Sequence, residues 1–219
     1  MASFSSQVQY KTGDSTSYTT QMPTWLSDGV RDVVDRSLAI NPAYADQFAT
    51  VESTITTGGT IINSPHIIRV FRNTAAGRPV LAPAIGIGQV AQVTDSGSVY
   101  AATESHPSSY YYGGRLYMWP SPSSGGSIWY VAYGAVTDGS GTIANFPSAL
   151  YELVVLFASM RATEYRIATL RGEMRTYIDT DEDSELAQLK AGEVAKAEAL
   201  LGRLASEYAA GFERVKVVL

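Results

Sequence analysis

The chain has no cysteine, which excludes disulfides, thiolate metal sites and a cysteine nucleophile. Histidine is nearly as scarce. His66 and His106 are the only two, far apart in the chain, and no spacing supplies the acidic partners a histidine zinc site would need. Positive charge is not in excess: the formal net charge is −5. That argues against a surface built to grip nucleic acid, which carries a basic patch, though not against a wall past which DNA slides. No stretch approaches the ~20 apolar residues of a membrane span. The N-terminus has no charged segment leading into an apolar run, so no signal peptide is expected, and the reading is a protein made and used in a cytoplasm. Catalytic signatures are missing as well: there is no Gly-x-Ser-x-Gly elbow, no His-Glu-x-x-His and no phosphate loop. Glu104, Asp138, Glu152 and Glu164 could serve a carboxylate-pair mechanism, but nothing in their spacing selects a pair. The expectation is no enzyme, no cofactor and no metal.

What is present is dominated by the last third. Leu150, Leu153, Val154, Phe157, Met160, Arg161, Tyr165 and Ala168 follow the three-and-four spacing of one helical face. Asn145 or Ser148 can cap the start, with Pro147 tolerated in a first turn. Arg161, Arg166, Arg171 and Arg175 suit the negative end of the dipole. The acidic run from Asp179 to Glu185 suits the start of a second helix, with Thr180 and Asp183 as a weak capping box. Leu186, Leu189, Val194, Ala197, Leu201, Leu204, Tyr208, Phe212 and Val215 then form its apolar face, close to a heptad seam. Two long helices on a short link should lie antiparallel. Ala191, Ala195, Ala199, Ala205 and Ala209 make a small-residue seam. It fits an intramolecular bundle or a contact between chains, and periodicity does not separate the two.

Ahead of these helices the pattern differs. Residues 1–22 are polar with little periodicity and predict an extended N-terminal arm. A first helix is expected over 23–42, capped by Thr24, with Val30, Val33, Val34 and Leu38 on one face and Asn41-Pro42 ending it. Residues 43–143 carry short β-branched and aromatic runs punctuated by Gly, Pro, Ser and Thr. Strands are predicted over 51–57, 66–72, 80–93 (bent at Pro83, Gly86 and Gly88), 98–103, 115–119 and 128–133. Thr57-Gly-Gly-Thr60 reads as a hairpin turn into Ile61-Ile62, and 115–119 with 128–133 as the clearest hairpin. The fold class is therefore α+β: a helical bundle of one N-terminal and two long C-terminal helices (144–219), with a small antiparallel β-barrel or sandwich inserted between them.

Three motifs invite a functional reading. Gly86-Ile-Gly88-Gln-Val-Ala91 matches a dinucleotide fingerprint but is followed by residues that read as strand and turn, where the chemistry needs a helix. Asp179, Asp181, Asp183 and Glu185 alternate like a calcium loop, but Ser184 and Lys190 stand where an EF-hand needs Gly and Glu. Tyr110, Tyr111 and Tyr112 cannot all face a core. They read either as an ordinary strand with one Tyr buried or as an exposed aromatic interface loop meeting a protein partner or a sugar.

The order of parts resembles the head-to-tail adaptor (connector) proteins of tailed bacteriophages. The resemblance lies in a first helix bearing Trp25-Leu26, then Ser108-Ser-Tyr-Tyr-Tyr-Gly-Gly-Arg-Leu-Tyr-Met-Trp-Pro120, Ile128-Trp-Tyr-Val-Ala-Tyr133, Phe146-Pro147-x-x-Leu150 opening a helix with Leu153 and Ala158, and a Glu-containing last helix. It covers most of the chain after residue 22 and is specific in arrangement. It implies a structural protein of the virion neck, assembled in the host cytoplasm. Such proteins form a dodecameric ring between the portal protein and tail or neck proteins, through which DNA passes without specific binding. It also implies a portal-docking tail formed by Phe212, Arg214, Val215, Lys216, Val217, Val218 and Leu219, with the helix expected to stop near Val215 and the apolar end adding as a strand. A tail-completion protein of the neck and a glycan-binding β-module stand as alternatives.

Overall fold

The computed structural model describes residues 2–14, 18, 20–53, 55–56, 58–62, 64, 66–122, 125–136, 141–179 and 184–218. The chain divides into two units, one of Met1–Tyr44 with Tyr133–Leu219, the other of Ala45–Ala132. With long helices in the first and antiparallel sheets in the second, the fold is α+β.

The first unit is built around α4 (Tyr151–Asp179), which packs against α1 (Phe4–Thr12), α2 (Met22–Ile40) and α5 (Ser184–Val218). Its run Leu153, Val154, Val155 and Leu156 is buried on consecutive positions, as a helix enclosed on all sides requires. Deeper along the helix the small hydroxyl residues Ser159 and Thr163 are buried too. Each donates to the carbonyl four residues back, Val155 O and Ser159 O, at 2.8 Å, so neither leaves an unpaired polar atom. Two glycines set how near the neighbours come. A Cβ on Gly29 would sit 3.2–3.3 Å from Phe157 and the Val154 carbonyl, and one on Gly211 would overlap the Leu153 side chain. The α2–α4 and α4–α5 contacts are thus close backbone approaches.

Several expectations are corrected here. Within the stretch 1–22 expected to be an extended arm, Phe4–Thr12 is a helix, α1. Ser3 accepts a hydrogen bond from the Ser6 N–H and caps α1, which ends at Gly13 in the left-handed region (φ 64°). The composition is polar, but Phe4, Val8 and Thr12 recur every four residues and bury one stripe. α2 begins at Met22 with Gln21 at the N-cap position in place of Thr24, and Pro23 lies in its first turn. α4 is entered through a 3-10 turn (Ser148–Leu150) whose N-cap position is Pro147, which has no capping side chain. The capping pair Thr180 and Asp183 lies outside the described residues. On α5, Val194, Ala197, Leu204, Tyr208, Phe212 and Val215 are buried as expected, whereas Leu186 and Leu189 are exposed. The alanine seam is not the intramolecular contact: Ala191, Ala195, Ala199 and Ala209 face solvent.

Among its described residues the second unit has seven strands: β1 (Ala49–Glu52), β2 (Thr60–Ile61), β3 (Ile67–Asn73), β4 (Pro79–Leu81), β5 (Ser108–Tyr112), β6 (Arg115–Trp119) and β7 (Gly126–Val131). They form two antiparallel sheets, ordered β1-β7-β3-β4 and β2-β6-β5. Inward residues of both sheets share one core, with Val70 and Ile128 from the first and Leu116 and Met118 from the second, closed by Ile55, Ile62 and Ala82. The sheets are separate layers, with a parallel bridge between Ala84 and Ser109 at one side.

The strands differ from the sequence expectation in four ways. The segments 115–119 and 128–133 are not a hairpin, because β6 pairs with β5 and β2 while β7 pairs with β1 and β3. The link between them starts with a cis Trp119–Pro120 bond. For the same reason the Gly58-Gly59 turn joins strands of different sheets. The strand predicted over 80–93 ends at Leu81. Residues 87–89 form a 3-10 turn and Val90–Thr94 is a short helix, α3. Residues 98–103 are turn and coil.

Arg72 in β3 points into this unit and is only 1% exposed. Its guanidinium donates to the Pro120 carbonyl (3.2 Å), the Asn73 carbonyl (3.3 Å) and Glu104 Oε1 (2.9 Å). A buried guanidinium is tolerable only when its donors are satisfied in this way.

Candidate functional site

The described carboxylates that sequence left open as catalytic candidates have ordinary partners. Glu104 pairs with Arg72, Glu152 with Lys11 and Glu164 with Arg161, and Asp138 lies outside the described residues. Among the described residues no three His, Asp or Glu gather as a metal site. The Gly86-x-Gly88 stretch is followed by a helix, contrary to the expectation, but α3 has five residues and β4 ends at Leu81, so the strand–turn–helix cradle for a pyrophosphate is not formed. A groove of about 290 Å³ lies between the end of α1, α4 and α5. Asp14, Arg166, Glu193 and Lys196 line it, two charges of each sign and no convergent catalytic set. Among the described residues no helix is long and apolar enough to cross a membrane.

The predicted docking tail is helical: α5 continues to Val218 rather than stopping near Val215 or adding as a strand. Phe212 and Val215 are buried in the bundle, and Phe212 meets Tyr208 edge to face at 5.1 Å. Arg214 is exposed. The side chains of Lys216, Val217 and Val218, and Leu219 itself, lie outside the described residues.

That end of α5 is fixed to α2 by a polar cluster that sequence did not indicate. The Tyr208 hydroxyl donates to Asp32 Oδ2 (2.5 Å), Arg36 Nε meets the same oxygen at 2.8 Å, and the Arg36 guanidinium lies over the Tyr208 and Phe212 rings at 5.4 and 5.6 Å. Burial, then the hydrogen bond to Asp32, pushes the Tyr208 phenol well above its usual range. Tyr133 repeats the arrangement. Its hydroxyl donates to Asp35 Oδ1 (2.8 Å), Arg31 lies over its ring, and burial followed by the Asp35 bond pushes the phenol up to about 12. Both raised values mean that the fold holds the neutral phenol. Their contribution is complete below the ordinary phenol range near pH ~10 and is lost as pH rises from there through the folded values. Urea midpoints should therefore fall above pH ~10, and less so in a Tyr208→Phe, Tyr133→Phe double variant. At neutral pH Tyr208→Phe alone should cost about 1.5–3 kcal/mol, the worth of a hydrogen bond to a charged acceptor, read by chemical denaturation.

In the β-unit the three tyrosines are not a loop. They are β5, paired with β6 as Tyr110↔Tyr117, Tyr111↔Leu116 and Tyr112↔Arg115 around the Gly113-Gly114 turn. Strand alternation puts Tyr110 and Tyr112 on the outer face and Tyr111 on the face shared with Leu116. Tyr110 stacks on Tyr117 (5.0 Å, 9°). The outer face of this sheet thus carries Tyr110, Tyr112, Tyr117, Trp119, Arg115 and Ile61. The arrangement is an aromatic surface, suited to contact rather than catalysis.

Comparison with known proteins agrees with this character. No curated protein matches the chain. A family model described as "SU10 adaptor protein" matches residues 2–213 and so spans both units. The chain belongs to this family of phage head-to-tail adaptors and is a phage adaptor protein.

Proposed function

We propose that the protein forms a ring between the portal and the tail of the virion neck, lines the DNA conduit without binding DNA specifically, and docks on the portal through the end of α5. The observation that carries this reading is the family match over residues 2–213. The twelve copies come from the resemblance to head-to-tail adaptors. Assembly takes place in the host cytoplasm, where portal and tail proteins are made. The net charge of −5 fits a channel wall that must not hold its polyanionic cargo.

Burial along α5 supports a shorter docking segment than the whole tail. Phe212 and Val215 are core residues of the bundle, so they anchor the tail, and portal contact falls to Arg214 and residues 216–219. Deletion of Lys216–Leu219 removes no residue of the described core. It should leave far-UV circular dichroism nearly unchanged and abolish co-sedimentation with portal protein. Undiminished co-sedimentation of the truncated chain would show that docking lies elsewhere.

A further inference from the structure

The β-unit is apolar on both of its outer faces. On the β2-β6-β5 sheet Ile61, Arg115 and Tyr112 share one row across the strands, Tyr117 and Tyr110 the next, and Trp119 and Ser108 the third. Ile61 is 59% and Tyr112 63% exposed. On the opposite sheet Val51, Trp129 and Arg69 share a row, and Ser127, Phe71 and Leu81 lie in another. Val51 is 48%, Trp129 39% and Leu81 52% exposed. A two-layered unit of this size normally keeps its outward positions polar. Here both outward faces are rich in Trp, Tyr, aliphatic residues and Arg, the composition of interface centres.

We infer that these two faces are the two halves of one contact between copies of this chain, the Val51–Trp129 face of one β-unit packing on the Tyr112–Trp119 face of the next. Three observations favour a second copy over any other occupant. The faces lie on opposite sides of the same unit, so one foreign partner would cover only one, whereas repeated copies cover both with a single head-to-tail contact that can close into a ring. Three strands about 4.8 Å apart and five residues rising about 3.4 Å each span roughly 250 Å², well short of the ~800 Å² per partner of a stable complex. Such a contact does not hold a free dimer and forms once copies are already aligned. A sugar is the poorer fit, because Tyr110 and Tyr117 stack on each other and each covers a ring face that a pyranose would need. This inference rests on the ring reading above and locates part of its interface.

The absence of native cysteine makes the test clean. Full-length Val51→Cys, Tyr112→Cys and the double variant are assembled on portal protein, imaged, and treated with a series of short bismaleimide crosslinkers. The double variant should give a ladder extending beyond dimers, while each single variant stays monomeric on a denaturing gel. Dimers from either single variant would mean that a face meets its own kind and would overturn the proposal. So would rings visible by microscopy that yield no ladder at any linker length. Trp129→Glu, at an exposed position, should keep wild-type circular dichroism and lose rings at least tenfold; unaltered ring yield contradicts the contact. If the wild-type chain forms no ring at all on portal, the ring reading fails first and this contact with it.

Discussion

Replacing Leu201 and Leu204 by aspartate is expected to unfold the helical unit. Leu204 has no exposed surface, and Leu201 packs on the cluster formed by Ile167, Leu170, Val194 and Ala197 where α4 meets α5. Removing a buried leucine side chain costs roughly 2–5 kcal/mol through lost transfer energy and the cavity left behind. Aspartate adds a carboxylate with no partner in an apolar seam, a further penalty of several kcal/mol or a forced protonation. The sum is comparable with the ~5–15 kcal/mol that holds a typical domain together. Surface pairs such as Arg171–Glu198 and Lys190–Glu173 span the same two helices but are screened by water and will not rescue it. Far-UV circular dichroism should show most of the helical signal lost. A variant with wild-type helicity and an unchanged melting temperature would show that the α4–α5 seam is not the core described here. Leu204→Ala offers the graded version and should lower stability without abolishing the fold.

The second large effect is expected at Arg72. Arg72→Ala removes three hydrogen bonds at once and leaves the Pro120 and Asn73 carbonyls facing a void. A loss of about 3 kcal/mol in chemical denaturation follows from hydrogen bonds made by a charged donor plus the stem's lost packing. Glu104, half exposed, finds water instead, so the loss does not reach the penalty of a stranded buried charge. Arg72→Met keeps the volume of the stem and should recover part of the difference. Equal stability of Arg72→Ala and the wild type would mean that the guanidinium does not tie β3 to the Pro120 segment. Neither substitution touches the outer faces, so loss of assembly in these variants should track loss of fold.

Sequence carried the long helices because their apolar spacing is close to the helical repeat over many turns, and tertiary packing agreed with it at Leu153, Val154, Leu204 and Tyr208. It missed α1 because a stripe of Phe4, Val8 and Thr12 in a polar stretch is too sparse to register as periodicity. It misread Val90–Thr94 because β-branched residues favour strands only when a neighbouring strand is there to pair with. Strand pairing was the least legible feature. Adjacency in the chain suggested β6 with β7, and only the three-dimensional pairing shows them in different sheets. Arg69 and Arg72 show the same limit at single residues. Three apart in one strand, they fall on opposite faces by alternation, but only the packing shows which face is inward: Arg69 is on the outer face and Arg72 is buried. The tyrosine run was visible as unusual, but its division between two faces needed the Tyr110↔Tyr117 register. The alanines of α5 were visible as a small-residue face, and only burial showed that this face looks outward.

The most direct test of the adaptor account is electron microscopy of the purified chain mixed with the portal protein of the same phage. The account predicts a second symmetric ring stacked on the portal, with twelve copies by direct count. Portal particles that stay bare at saturating concentrations of the chain would contradict it.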